Sequence, residues 1–427
     1  MTLPIDAFLQ SAVKAARAKN PSLQATSSDP MVRFLTLMQQ PMTERKAKKL
    51  AQDFYHVASL TGLPLEPNGP GNQAAPGTPT LVTFLYYGAR AGHVNLAGDF
   101  NQWSGDAEPL ARVGKTGLFV LRRPVTLPCR YKLVVDKKWM PDPANPYAVP
   151  DGYGDYNSVL PHHPPPEASS RLVSHPDLYS KQLRNRRPLF LYLPPGYYAS
   201  QQRYPVLYVM DGRENLHRGR LPELFDGAIG RGELPPFIAV FIPHAGRKRG
   251  LEYTPYFQRS RLNAYHQFMI QELVPFMDRM FRTLPVPEAR TLLGQSFGGT
   301  VVSTLGLKAP HVFQHVLAQS GVYVWGRNQT VLTPFLELPT LPLRFYLDCV
   351  DNEPETYQNR AMHKVLTEKG YPHLYRAIPS RHEYEDWRER VVDGLRFLWF
   401  NIAPGQGQAP AGTRKGRNSA KAPRRKK

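Results

Sequence analysis

The sequence predicts an α/β protein. Its C-terminal half is expected to be a mostly parallel sheet with helices on both faces, preceded by an all-β sandwich and a short helical N-terminal region. Three observations carry this. From residue 171 onward β-rich runs alternate with helical ones. Between residues 80 and 160 only short β-rich runs occur, broken by Gly, Pro, Asn and Asp. Two proline-rich stretches, 64–79 and 161–170, separate the three parts.

In residues 1–63 apolar side chains recur at three- and four-residue spacings (Phe8, Ala12, Val13, Ala16, then Leu50, Phe54, Val57), so two or three short helices are expected. The stretch 64–79 sets Pro64, Pro67, Pro70, Pro76 and Pro79 among Gly69, Gly71 and Gly77, which neither a helix nor a central strand tolerates. Residues 80–160 carry strand patterns at 81–87, 93–97, 118–122 and 131–135. A second linker spans 161–170. In the domain expected over 171–402, strands are predicted at 189–193, 206–210, 237–242, 291–293, 344–350 and 374–378. Helices are predicted at 263–281, 300–308, 356–369 and 384–400.

Composition narrows the function classes. With 41% hydrophobic and 21% charged residues the chain is an ordinary globular one. The longest apolar runs, such as 237–242, are far short of a membrane span, and the first residues lack a basic, then apolar, export signal. Two distant cysteines, Cys129 and Cys349, exclude a disulfide framework and a cysteine-built zinc site, and fit a cytoplasmic location. The net charge is +20, and +8 of it lies in residues 401–427. The stretch 403–427 is therefore expected to be a disordered tail, either a solvated charge that mainly aids solubility or a segment that contacts polyanions without sequence specificity.

The chemistry is carried by Gly294-Gln295-Ser296-Phe297-Gly298, a G-x-S-x-G placed between a predicted strand and a predicted helix. A turn that sharp presents a serine hydroxyl, and glycines on either side are needed where strand and helix pass close. Ser296 is the candidate nucleophile. A hydroxyl needs a neighbouring base, expected after the acid in chain order, and His382 follows the last predicted strand. The acid should follow the strand at 344–350, where Asp348, Asp351, Glu353 and Glu355 are the candidates; Asp348 is inside the strand, whereas Glu353 and Asp351 sit just past its end, where either could hold the imidazole. The oxyanion needs two N–H donors: Phe297, after the nucleophile, and Gly212 or Arg213, at the end of the strand at 206–210.

These residues resemble the enterochelin (ferric siderophore) esterase and esterase D group of α/β-hydrolases over roughly residues 188–399. The likeness rests on Val206-Leu207-Tyr208-Val209-Met210-Asp211-Gly212, Gln271-Glu272-Leu273-Val274-Pro275-Phe276, Gly294-Gln295-Ser296-Phe297-Gly298-Gly299, Gln319-Ser320-Gly321, and His382 with Trp387-Arg388. The resemblance implies an α/β-hydrolase fold, Ser296 as nucleophile, His382 as base and the acid position at Glu353-Pro354. It also implies that Arg249 and Glu252 border the substrate, with Arg249 available to an anionic group. The chain departs from the group at Arg381 and Val350, where glycine is usual.

The middle segment is similar to immunoglobulin-like early-set modules of the glycogen-binding type. It carries Leu96-Ala97-Gly98-Asp99-Phe100-Asn101-Gln102-Trp103 and Tyr131-Lys132-Leu133-Val134-Val135-Asp136-Lys137-Lys138-Trp139, with Asp142-Pro143 and Asn157. This resemblance implies a carbohydrate-binding set of Trp103, Trp139, Lys132 and Asn157. The alternative is a module that only packs on the hydrolase and covers its mouth. The whole reads as a cytoplasmic serine esterase, without metal or cofactor, acting on an ester of a siderophore or an acylated glycan. Acyl transfer through the same serine and a noncatalytic glycan-binding scaffold are the alternatives; a decayed scaffold is expected to lose the serine or the histidine.

Overall fold

The structure is a computed structural model, which describes residues 4–61, 79–153, 155–160, 170–326 and 329–399. The expected basic tail at 403–427, and most of the two linkers, lie outside these residues.

Three helices open the chain: α1 (Pro4–Arg17), α2 (Pro30–Met38) and α3 (Glu44–Thr61). Helix α2 begins where Asp29 Oδ1 accepts from the N–H of Met31 at 2.8 Å, with Pro30 in the first turn, where no N–H is needed. Phe34 of α2 stacks on Phe54 of α3 at 4.0 Å, and their apolar cluster takes in Leu85 and Leu118 of the following β region. The helices thus bury their apolar faces on their neighbour.

That neighbour is built of β1 (Pro79–Tyr87), β2 (Val94–Gly98), β3 (Ala111–Arg112), β4 (Leu118–Thr126), β5 (Cys129–Val135), β6 (Lys138–Met140), β7 (Ala148–Pro150) and β8 (Tyr156–Leu160). The order β1-β4-β3 makes one sheet, and β2-β5-β8-β7, with β6 beside β5, makes the other. Alternation along β5 sends Tyr131 and Leu133 into a cluster shared with Phe84, Leu96 and Phe119 from both sheets, and Lys132 and Val134 to the opposite face. The runs β3, β6 and β7 span two or three residues each, too few to register as alternation in the sequence.

The rest of the chain forms an eight-stranded sheet. In chain order the strands are β9 (Arg171–Ser180), β10 (Asn185–Leu193), β11 (Val206–Val209), β12 (Ile238–Phe241), β13 (Arg290–Gln295) and β14 (His315–Gln319). A small hairpin, β15 (Val324–Trp325) and β16 (Gln329–Thr330), precedes β17 (Arg344–Val350) and β18 (His373–Ile378). The spatial order is β18-β17-β14-β13-β11-β12-β10-β9, parallel from β12 to β18, with β10 antiparallel to both β12 and β9. Helices α4 (Gly212–His217), α5 (Leu221–Gly230), α6 (Arg249–Tyr253), α7 (Leu262–Gln267), α8 (Val274–Met280), α9 (Phe297–Lys308), α10 (Thr333–Glu337), α11 (Thr356–Glu368), α12 (Tyr384–Trp387) and α13 (Val391–Leu398) connect them.

Strand β11 shows why its sequence is unbroken apolar. Val206 and Tyr208 face a core with Phe268 and Val302, while Leu207 and Val209 face a second core with Phe225 and Leu395. The helix expected at 263–281 carries a π-turn at Phe268–Leu273, and the one expected at 384–400 is interrupted by a 3₁₀ turn at Arg388–Arg390. Among the described residues no helix is long and apolar enough to cross a membrane.

Candidate active site

Strand β13 ends at Gln295, and α9 starts at Phe297, so one residue makes the turn. That residue is Ser296, at φ 57° and ψ −123°, a conformation an L-residue holds only where its surroundings fix it. Two glycines near Ser296, Gly294 of the motif and Gly299 just beyond it, are required by space. A Cβ on Gly294 would lie 2.3 Å from the carbonyl oxygen of Gly298, and one on Gly299 would lie 2.9 Å from the Cα of Gly321. Ser296 and Phe297 are half-buried on the rim where the parallel strands end.

His382 lies three strands further along the same rim, after β18, with its side chain 39% exposed. Its Nδ1 is 2.7 Å from Oε2 of Glu353, whose Oε1 accepts from the N–H of Val350 at 3.2 Å. A carboxylate on Nδ1 fixes the tautomer that leaves the Nε2 lone pair free. Asp351 is elsewhere: its Oδ1 accepts from Arg360 at 3.3 Å. The T-shaped contact of His382 with Trp387, 4.6 Å between centroids, supports the ring from the other side.

The two N–H groups proposed beside Asp211 are not equivalent. The N–H of Gly212 donates to the carbonyl of Ile242 at 2.9 Å and is therefore spent, because a Gly212 Cβ position sits against the backbone of Phe241 and Ile242. The N–H of Arg213, in the first turn of α4, has no partner among the described residues, and neither does that of Phe297.

Arg249 lies beside the serine turn, over the Phe297 ring at 5.6 Å, but is not free for an anion, and Glu252 lies away from the surface. Arg249 grips the buried carboxylate of Asp211 with two bonds, Nε to Oδ1 at 2.7 Å and Nη2 to Oδ2 at 2.6 Å, and also donates to the carbonyl of Gln295 at 3.2 Å. Its charge is thus already compensated. Glu252 is fully buried and takes Arg187 Nη2 on both oxygens, at 3.0 and 3.1 Å, out of reach of any ligand.

Beneath the rim runs a buried chain of carboxamides that the motif search did not single out. Asn215 Nδ2 donates to Gln295 Oε1 at 2.9 Å, and Gln295 Nε2 donates back to Asn215 Oδ1 and on to Gln319 Oε1, both at 3.1 Å. Gln319 Nε2 reaches Asp348 Oδ2 at 2.9 Å and the carbonyl of Trp387 at 3.0 Å. Asp348, whose carboxyl burial pushes up in pKa while Arg390 and Gln319 pull it down, closes the chain on Arg390. One polar line therefore joins helix α4 after β11, the serine turn and the histidine loop. Its sequence signals were Gln295 inside the serine motif and Gln319 in the Gln319-Ser320-Gly321 segment.

An aromatic wall stands beside the serine. Phe297, Phe257 and Trp325 have centroids 5.5 to 6.1 Å apart, and Trp325, 40% exposed, stacks on Tyr256 at 6.0 Å.

On the sandwich, Trp139 is 45% exposed and covers Gly105, two residues after the half-buried Trp103. The other two members of the expected sugar set are engaged or shielded. Lys132 Nζ bonds Asp151 Oδ2 at 2.7 Å and lies 3.5 Å from Asp155 Oδ2, and Asn157 is buried. The Trp103 indole N–H donates to Asp99 at 3.1 Å.

A family profile described as "Putative esterase" matches residues 180–398, which hold the serine turn, Glu353 and His382. The chain belongs to this esterase family. It is 30% identical over 236 residues to the uncharacterized protein YjcH of Bacillus subtilis (strain 168), a match that covers 53% of this chain and 97% of that protein. It is 27% identical over 253 residues to the iron(III) enterobactin esterase of Dickeya dadantii (strain 3937), covering 55% of this chain and 56% of the relative. Among solved structures, the enterochelin esterase from Shigella flexneri aligns over 77% of this chain and 95% of its own, with 20% identity and a TM-score of 0.49. The esterase is an ester hydrolase of the α/β-hydrolase type.

Proposed function

We propose that the esterase works through Ser296, His382 and Glu353 on an ester that carries an aromatic group. The observation that carries this is the 2.7 Å contact between His382 Nδ1 and Glu353 on the rim that also presents Ser296. His382 would take the proton of Ser296 as the hydroxyl attacks the ester carbonyl, and return it to the leaving alcohol. The N–H groups of Phe297 and Arg213 would receive the oxyanion, and water would then release the acyl group. No step calls for a metal or cofactor.

The aromatic wall of Phe297, Phe257 and Trp325 supports the substrate class, because offset and edge contacts hold an aryl ring beside the reacting carbonyl. The similarity to proteins named iron(III) enterobactin esterase and endo-1,4-beta-xylanase/feruloyl esterase agrees with a phenolic ester, from a siderophore or from an acylated glycan. Exposed Trp139 favours the glycan side of that pair, whereas the ion pair on Lys132 disfavours it.

The experiment is covalent trapping. A fluorophosphonate should label Ser296 alone, found by peptide mass, and the label should drop sharply in His382→Ala. A panel of phenyl-bearing and alkyl acyl esters should show the aryl preference, and Trp325→Ala should erase it. Label on another residue, or equal rates across the panel, would refute the mechanism or the substrate class respectively.

A further inference from the structure

We infer that Glu353, Glu355 and His382 form an inhibitory site for a divalent transition-metal ion of the Zn²⁺ type, a proposal that rests on His382 being the base. One carboxylate oxygen from each glutamate and one ring nitrogen of His382 lie within 4.8 Å of one another. Their supports differ. Glu353 is held by Val350 through Oε1, which leaves Oε2 facing Nδ1 of His382. Glu355 sits at the start of α11, where its backbone carbonyl accepts from Asn359, and its carboxylate has no ion-pair partner among the described residues. Orienting an imidazole takes one carboxylate, so the second is left over for another task.

The donor set decides the ion. One imidazole nitrogen with two carboxylate oxygens suits zinc and its neighbours, which bind such atoms at about 2.0–2.2 Å, whereas Mg²⁺ and Ca²⁺ prefer oxygen alone. His382 is exposed enough for an ion to enter and for the ring to close on it. The ion would take the place of the Nδ1 proton: the nitrogen lone pair forms the bond to metal and the displaced proton moves by way of solvent to Nε2. The proton that remains on the ring is then on Nε2. That nitrogen has no lone pair left to accept the proton of Ser296, so the metal holds the imidazole in the tautomer that cannot act as base.

The test uses the full chain freed of metal with a chelator, and reads hydrolysis of a p-nitrophenyl ester against free Zn²⁺. Each variant is scaled to its own metal-free rate. The wild type should lose activity saturably and regain it with chelator, Mg²⁺ should have no effect, and Glu355→Gln should need about tenfold more Zn²⁺ or beyond. Calorimetric titration of Ser296→Ala reads binding without turnover and should give one Zn²⁺ per chain, weakened by adding Glu355→Gln. An unchanged wild-type rate, or Glu355→Gln inhibited at the same concentrations as wild type, overturns the site. If His382→Ala keeps full turnover, the base assignment falls instead; if that variant is dead and Zn²⁺ spares the wild type, only the metal site falls.

Discussion

Glu353 rather than Asp351 meets His382: the carboxylate Oε2 lies 2.7 Å from Nδ1, while Asp351 is turned to Arg360. Two acids two residues apart after one strand are indistinguishable by spacing, but only one points back across the rim. Replacing Glu353 by Gln keeps the shape and removes the charge that favours the working tautomer. Steady-state kinetics should show kcat falling about 10³-fold or more in Glu353→Gln, against no more than about threefold in Asp351→Asn. The reverse ranking would move the acid to Asp351.

The carboxamide chain predicts a kinetic effect away from the substrate. Gln319→Leu removes the donor to the Trp387 carbonyl and to Asp348, and the acceptor for Gln295. The histidine loop and the serine turn then lose their common register, and a displacement of about 1 Å is worth roughly 10²-fold in rate. We expect kcat to drop on that order with KM nearly constant. The variant should also melt earlier, since Asp348 keeps its burial and loses a donor. A change confined to KM would contradict the positioning role.

Buried histidines set the pH dependence of stability. Burial pushes His175 and His217 down to about 3, and His266 and His315 down to about 4. In the unfolded chain an imidazole titrates near 6.5. Below that pH the unfolded state binds protons that the folded state refuses, so this contribution is complete above about 6.5 and is lost as pH falls toward 4, by up to about 1.4 kcal/mol per pH unit for each ring. Asp142, pushed up by burial to about 6, and the raised Asp348 and His244 act in the opposite sense, against the four buried rings. Urea midpoints should therefore fall between pH 7 and pH 5. His266→Gln, which can keep the bond to Thr304, should flatten the slope. Equal midpoints at the two pH values would contradict this.

The legibility of the chain follows its physics. Strand β11 was readable because both of its faces are buried and its apolar run is continuous, whereas β13, equally buried, showed only through the short run 291–293 ahead of the serine motif. Strand β9 was missed because polar side chains interrupt it (Ser174, His175), and β14 because five buried residues carry no period. The serine turn and the histidine showed in sequence because they sit in fixed relation to strands. Spacing alone left Glu353 and Asp351 open, with Glu353 marked only by the resemblance, and the loss of Gly212 as a donor and the burial of Glu252 did not show, because each depends on a partner 30 to 65 residues away. Arg249 looked free for an anion for the same reason: nothing local announces its pairing with Asp211.

The sandwich surface gives a prediction that separates a glycan ester from a siderophore ester. If Trp139 and Trp103 form a platform, the protein should be retarded on amylose, and Trp139→Ala should weaken retention by about 1–3 kcal/mol, the scale of stacking on an aromatic face. Trp139 is 45% exposed, so its melting temperature should hardly move. No retardation of the wild type would leave the module as a support for the hydrolase, which it touches through the Tyr156 and His217 rings at 5.1 Å.

Ser296→Ala is the most direct test of the mechanism. Purified wild type and variant would be compared in turnover of a p-nitrophenyl acyl ester, with matching circular dichroism and melting curves to show that the turn still folds. The variant should be slower by about 10³-fold or more, because the triad acts as a unit and only binding and the oxyanion donors remain. A variant that hydrolyses the ester at the wild-type rate would contradict the assignment of Ser296 as nucleophile, and with it the roles of His382 and Glu353.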